Sequence, residues 1–326
     1  MCTCLSFQTK DHYFGRNLDL EYSYQESVTI TPRNYPLLFR QKAALASHYA
    51  IIGMAYVQDN YPLYYDATNE CGLSMAGLNF PHYAYFEEPK KDEKDNIAPF
   101  EFIPWVLGQC RDLSEAKTLL SRLRLVNLAY SPKLPITPLH WMIASKEGSL
   151  VIESVAEGLK VYENPVGVMT NNPPFPLQLF RLNDYRALSC ESRPNTFSPN
   201  LLLEEYSRGM GAMGLPGDLS SSSRFVRVAF TKMNSVSPVD EGSSVSQFFH
   251  ILGSVEQQRG CCRLGENSYE ITIYSSCCNT DKGIYYYHTY DNSTIHAVDL
   301  HVENLDATNL MSYALKREPQ IEFINR

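Results

Sequence analysis

The chain opens Met1-Cys2-Thr3-Cys4, and chemistry first presents itself at position two. Cells trim an initiating methionine when the next side chain is small, and cysteine is small. After trimming, Cys2 would carry a free α-amine on the same residue as its thiol. A free thiol has a pKa of about 8.5 and an α-amine of about 7.7–8.0. One residue would then supply both a nucleophile and a weak base at a fixed, short separation. Read without the rest of the chain, the same four residues also serve as the start of a β-strand.

A thiolate nucleophile needs a positive neighbour. Gly15-Arg16-Asn17-Leu18-Asp19 lies one hairpin away, so Arg16 could reach the sulfur. Asp19 could hold the α-amine or Arg16; alternatively the two are a weakly stabilising surface pair near a turn. Attack on an amide carbonyl also needs donors aimed at the developing oxyanion. Asn79 ends an apolar run and Asn171 ends a strand, and each offers a side-chain amide. Asn171-Asn172-Pro173 is equally ordinary turn chemistry. Arg224 follows the serine-rich run Gly217–Ser223 at the start of a helix. Buried there, its guanidinium would need carboxylate or carbonyl partners; exposed, it is a helix-flanking charge.

The elements that would position these residues are mostly strands. Residues 3–7, 12–20, 28–31, 49–57 and 73–80 read as strands from their alternating or apolar runs. A helical stretch over 100–110 follows. Asp112-Leu113-Ser114-Glu115 then has the form of a capping box. Beyond it Ala116, Leu119, Leu120 and Leu123 recur at helical spacing. Strands return at 139–144, 150–153 and 159–162, with turns at Lys146-Glu147-Gly148 and Ala156-Glu157-Gly158. A strand ending at Thr170 meets a proline-stiffened turn, then a helical stretch with Leu177, Leu179, Phe180 and Leu182. Residues 190–222 carry little regular pattern. Helices are expected from Ser223, with Phe225, Val226, Ala229, Phe230 and Met233 on one side, and over 245–255. The last region alternates at Tyr269, Ile271 and Ile273 and again over 284–290. Antiparallel strands interrupted by helices point to one α+β domain over 1–326, or 2–326 after trimming.

Composition narrows the function. Among 326 residues, 44% are hydrophobic and 20% charged, and the net charge of −8 argues against a nucleic-acid or anionic-membrane partner. No apolar run approaches the roughly 20 residues of a membrane span. Nine cysteines cannot all pair within one chain. With no signal peptide visible, free thiols in a reducing cytoplasm are expected. The adjacent pairs Cys261-Cys262 and Cys277-Cys278 lack the C-x₂₋₄-C spacing of a zinc site and read as small buried thiols. No metal, and no glycine-rich loop for a nucleotide cofactor, is expected.

Several motifs recur together: Met1-Cys2-Thr3, Phe14-Gly15-Arg16-Asn17-Leu18-Asp19, Ala76-Gly77-Leu78-Asn79-Phe80, Thr170-Asn171-Asn172-Pro173 and Gly214–Ser221. As a set they resemble the choloylglycine hydrolase family of N-terminal nucleophile hydrolases, relatives of penicillin V acylase, and the likeness runs nearly end to end. The resemblance implies a four-layer αββα sandwich with two central antiparallel sheets. It implies that Cys2 attacks an amide carbon to give a thioester, with Arg16 beside the sulfur and Asp19 orienting the α-amine. Asn79 and Asn171 would form the oxyanion hole, and Arg224 would hold the cluster together. The implied substrates are glycine- or taurine-conjugated bile acids, in a pocket lined by Leu18, Leu20, Tyr24 and Tyr65. Asn79 stands where penicillin-preferring relatives tend to carry tyrosine. The resemblance also implies a homotetramer, with residues 190–222 as an assembly segment. Penicillin V or another acyl amide is an alternative substrate, and a non-catalytic ligand-binding protein on the same scaffold is an alternative of another class.

Overall fold

Two large antiparallel sheets organise the computed structural model, which describes residues 1–325. The first contains β1 (Cys2–Gln8), β2 (His12–Leu20), β12 (Val168–Met169), β13 (Ile271–Asn279), β14 (Ile284–Thr289) and β15 (His296–Asp299). Its order is β12-β1-β2-β13-β14-β15. The second contains β3 (Ser27–Thr31), β4 (Ile51–Gln58), β5 (Tyr61–Asn69), β6 (Ser74–Asn79), β9 (Leu139–Ser145), β10 (Gly148–Val155), β11 (Gly158–Glu163) and β16 (Met311–Ala314). Its order is β11-β10-β9-β6-β5-β4-β3-β16. A short parallel pair, β7 (Asp95–Ile97) and β8 (Leu123–Leu125), lies apart from both.

The period-two alternation of strand side chains builds the layers. Ile52, Met54, Met142, Ala144 and Val151 of the second sheet turn toward the first and join its core. Their sequence neighbours Ile51, Trp141, Ile143, Leu150 and Ile152 turn the other way, against α1 (Phe102–Leu107) and α2 (Leu113–Leu120). Trp141 meets Phe102 edge-to-face, with ring centroids 5.0 Å apart. Beyond the first sheet lie α4 (Ser221–Asn234) and α5 (Glu241–Gly253), which contribute Phe225, Val228, Phe248 and Ile251. Each such side chain gains about 1.5–3 kcal/mol on full burial. The result is the expected α+β, αββα sandwich. α3 (Phe175–Arg181) follows β12.

Local differences from the sequence reading have physical causes. β5 was not anticipated, because Pro62 and the buried carboxylate of Asp66 disguise its alternation. Leu123 belongs to β8, since α2 ends at Leu120. Asp112 caps α2 by accepting from the Glu115 N–H at 2.9 Å, but Glu115 reaches back to the N–H of Arg111 rather than Asp112. In α3, Phe175 and Gln178 are buried while Leu177 and Phe180 face solvent. Met233 is exposed in the last turn of α4. All nine cysteines are free; Cys277 and Cys278 are buried as expected, whereas Cys261 is exposed and Cys262 half-buried in an irregular loop. Among the described residues no helix is long and apolar enough to cross a membrane.

Candidate active site

The β1–β2 hairpin places the first residues of the site by register alone. Cys2 pairs with Leu18, Thr3 with Asn17 and Cys4 with Arg16, and cross-strand partners share a face. Cys2, Cys4, Arg16 and Leu18 therefore sit on one face, and Thr3 and Asn17 on the other. The first face meets the second sheet: Arg16 Nη1 donates to the carbonyls of Gly77 at 2.6 Å and Tyr65 at 3.1 Å. The second meets the helices, where Asn17 Nδ2 donates to the Leu252 carbonyl of α5 at 3.0 Å.

Arg224 enters from α4 and is fully buried. Its Nη1 donates to the Cys2 carbonyl and to Thr3 Oγ1, both at 2.6 Å, and its Nη2 to Asn171 Oδ1 at 2.8 Å. The same Asn171 oxygen accepts the backbone N–H of Cys2 at 2.8 Å. Asn171 Nδ2 donates to the Asn79 carbonyl at 2.7 Å, which joins the end of β6 to the segment after β12. An amide nitrogen carries two hydrogens, so one remains for another acceptor. Asn171 is thus the hub that links Cys2, Arg224 and Asn79.

Asp19 is buried and accepts from Thr272 Oγ1 at 2.7 Å through Oδ1. Its Oδ2 has no hydrogen-bond partner and lies 4.0 Å from Arg224 Nη1. Burial pushes the Asp19 carboxyl up against the opposing pull of Arg224, and burial pushes the Arg224 guanidinium down against Asp19 and Cys2. The Met1 amine donates to the Asp19 carbonyl at 2.9 Å and pairs with Glu270. Burial lowers that amine's pKa. For Arg16, burial opposes the charge, but Cys2, Tyr274 and Asp66 raise its pKa above the ordinary guanidinium value.

Asp66 is a member of the cluster that the sequence reading missed. It is buried in β5, where it accepts from Tyr274 Oη at 2.7 Å, Tyr285 Oη at 2.6 Å and Ser276 Oγ at 3.1 Å. Ser276 Oγ in turn accepts the backbone N–H of Arg16 at 3.1 Å. A carboxylate inside a tyrosine-rich run was the available signal, but its partners lie more than 200 residues away, so no local pattern joins them.

A cavity of about 450 Å³ opens on the Cys2–Arg16 face. Leu18, Leu20, Tyr24, Tyr65 and Asn79 all line it, as do Cys2 and Arg16. Its size and mostly apolar wall suit a small, largely hydrophobic ligand. Leu128, Tyr130 and Ile136 complete the far wall from a loop without periodic pattern, so sequence could not place them. Asp19, Asn171 and Arg224 do not line this space. Asp19 and Arg224 sit behind Cys2, on the helical side, whereas Asn171 bridges from Cys2 and Arg224 to Asn79 at the cavity wall.

Comparison with known proteins now bears on this arrangement. Residues 2–313 match the choloylglycine hydrolase family of linear amide C–N hydrolases. The chain belongs to that family. It is 59% identical, over the full length of both chains, to a bile salt hydrolase/transferase of Lactiplantibacillus plantarum. It is 39% identical, again over the full length of both, to a bile salt hydrolase/transferase of Clostridium perfringens. The structure superposes on the C2A mutant of the conjugated bile acid hydrolase from Clostridium perfringens with a TM-score of 0.93, at 38% identity and full coverage of both chains. Penicillin V acylase from Agrobacterium tumefaciens shares the fold: its TM-score is 0.70 at 17% identity, covering 96% of this chain and 90% of that one. As a choloylglycine hydrolase family member, the chain is a hydrolase of linear amide C–N bonds.

Proposed function

We propose that the protein hydrolyses the amide bond of glycine- or taurine-conjugated bile acids, with Cys2 as an N-terminal nucleophile once Met1 is removed. The observation that carries this reading is the buried Oδ2 of Asp19, which has no hydrogen-bond partner and belongs to the residue whose N–H donates to the Met1 carbonyl. Cleavage after Met1 turns the Cys2 N–H into an amine with further hydrogens. Asn171 Oδ1 already takes one of them, and Asp19 Oδ2 is a buried acceptor for another. The relatives from Lactiplantibacillus plantarum and Clostridium perfringens support the substrate class.

In this mechanism the substrate's apolar body fills the cavity against Leu18, Leu20, Tyr24 and Tyr65, with its amide carbon at Cys2. The thiol proton passes to the α-amine, Sγ bonds to the carbon, and the carbonyl oxygen becomes an oxyanion that accepts from the side chains of Asn79 and Asn171. Arg16 supplies a positive charge beside the sulfur as the C–S bond forms. Arg224 fixes the Cys2 carbonyl and Asn171 together. Collapse of the adduct breaks the C–N bond, and the α-amine returns its proton to the departing glycine or taurine nitrogen. Water then adds to the thioester, the C–S bond breaks, and the thiol is regenerated. An amine in place of water would give acyl transfer, in keeping with the hydrolase/transferase names of both relatives.

The same reading places the protein in a reducing cytoplasm as a homotetramer. Free cysteines support the first, and the exposed Phe197, Leu202 and Tyr206 support the second. The decisive experiment measures glycine and taurine released from glycocholate and taurocholate by protein whose Met1 removal is confirmed by intact mass. Release is expected from both. Silence on both, with turnover of penicillin V, would transfer the reaction to another acyl amide; silence on all three would favour a ligand-binding protein.

A further inference from the structure

His140 lies on β9 and is buried, and it touches the neighbour of each oxyanion asparagine. β9 runs beside β6 with Leu78 opposite His140 and Asn79 opposite Leu139. The flat face of the imidazole stacks on Phe80, the residue after Asn79, at 4.3 Å between centroids and 3° between planes. On its edge, Nε2 lies 2.7 Å from the carbonyl of Thr170, the residue before Asn171. A carbonyl oxygen only accepts, so Nε2 carries a hydrogen and donates it.

The other edge is backed by a second buried group. Nδ1 lies 3.2 Å from Glu153 Oε1, on the adjacent strand β10, with one hydrogen shared between them. The same Glu153 oxygen accepts the backbone N–H of Phe175 at 2.9 Å. His140 and Glu153 therefore close a strap over residues 170–175, the segment that carries Asn171. Ser221 of α4 holds that segment from the opposite side, accepting the Asn171 N–H at 2.8 Å. Burying a polar pair is costly, and the bonds that this pair makes beyond itself, from Nε2 and to Oε1, go to the segment that carries Asn171.

We propose that His140, backed by Glu153, is a positioning residue that sets the separation of the Asn79 and Asn171 arms and hence the shape of the oxyanion site. The proposal rests on the amide-hydrolase reading, in which these two side chains are the donors. Oxyanion donors act through preorganised placement, and a misplacement of about 1 Å can cost about 10²-fold in rate. His140 touches no substrate atom in this scheme, so substrate binding in the cavity is left unchanged.

The test compares three variants with the wild type on glycocholate. His140→Phe keeps the stack on Phe80 and loses both hydrogen bonds. His140→Gln restores a donor near the Nε2 position, and His140→Asn restores only the Nδ1 side. Expected are a fall in kcat of about 10- to 100-fold for Phe and Asn with KM within about twofold, and recovery of most of kcat by Gln. Alkylation of Cys2 by iodoacetamide should keep its wild-type rate in all three. A crystal structure of the Phe variant should show the Asn171–Asn79 contact lengthened; if that variant does not fold, the Asn variant serves. Wild-type kcat in Phe and Asn, no rescue by Gln, or parallel loss of turnover and alkylation would each overturn the proposal. A wild type that releases no glycine would instead sink the hydrolase reading. The crystallographic contact then still decides, since an unmoved Asn171 in the variant refutes a positioning role.

Discussion

Residues 164–178 and 190–213 both lie between β11 and α4, yet the first buries polar side chains and the second exposes apolar ones. The first stretch buries Asn164, Thr170, Asn171 and Gln178. Asn164 alone accepts the N–H groups of Val166 and Gly167 and donates to the Val168 carbonyl at 3.1 Å. Gln178 Nε2 lies 3.1 Å from the Asn172 carbonyl and 3.3 Å from both Thr170 Oγ1 and Ser221 Oγ. The second stretch leaves Phe197 and Tyr206 each 81% exposed and Leu202 83% exposed. A buried polar group left without a hydrogen bond loses about 1–3 kcal/mol, so the bonds that the first stretch does make hold its backbone in place. Exposed apolar side chains are under no such constraint, and it is on them that the proposed assembly would rest. Hydrogen-bonded, buried polar groups sit beside Cys2, and the exposed apolar side chains belong to the other stretch.

The largest effect should come from the hub of the first stretch. Asn171→Ala removes the proposed oxyanion donor together with the acceptor shared by Cys2 and Arg224. Steady-state kinetics on glycocholate should show kcat reduced by about 10²–10³-fold, a larger change than in KM. A variant within a few-fold of wild type would remove Asn171 from the mechanism.

Lys232 sharpens the comparison through pH. Its Nζ donates to the Val166 carbonyl at 2.5 Å, tying α4 to the first stretch. Burial lowers its pKa from 10.5 to about 8. The folded chain therefore binds fewer protons at this site than the unfolded chain between pH 8 and 10.5, and stability rises with pH across that window. The slope is at most about 1.4 kcal/mol per pH unit. Relative to Lys232→Met, wild-type protein should gain urea stability from pH 8 to 10, and parallel profiles would show the ammonium to be solvated after all.

The smallest effect on catalysis belongs to the second stretch. Phe197→Ser with Leu202→Ser should leave kcat per chain within about twofold, because side chains this exposed support little of the fold. Light scattering should show the assembly falling from a tetramer to smaller species. Unchanged mass would detach residues 190–213 from assembly.

Much of this was legible in the sequence because hairpin register converts spacing into geometry. Cys2, Arg16, Leu18 and Asp19 needed only the short turn between β1 and β2. Asn79 and Asn171 were legible as strand-end amides, but nothing local says that one bonds to the carbonyl of the other. Arg224 could be nominated but not placed, since its partners in the site, Asn171, Cys2 and Thr3, are more than 50 residues away or at the other end of the chain. Asp66 and His140 escaped for the same reason: their neighbours are brought in by sheet order rather than by chain order. The helical stretch around Leu177–Phe180 is there as α3, but its periodicity did not say that it buries Gln178 against the Thr170–Asn172 segment and turns Leu177 and Phe180 outward.

The central claim is that Cys2 carries the acyl group, and one measurement addresses it directly. Protein with Met1 removed is mixed with glycocholate, quenched in acid within the first turnovers, and digested for mass spectrometry. The account predicts a cholyl adduct on the N-terminal peptide, at the sulfur of Cys2, that disappears as free cholate accumulates. Turnover by a Cys2→Ala variant, or rapid turnover with no adduct at Cys2 at any quench time, would contradict it.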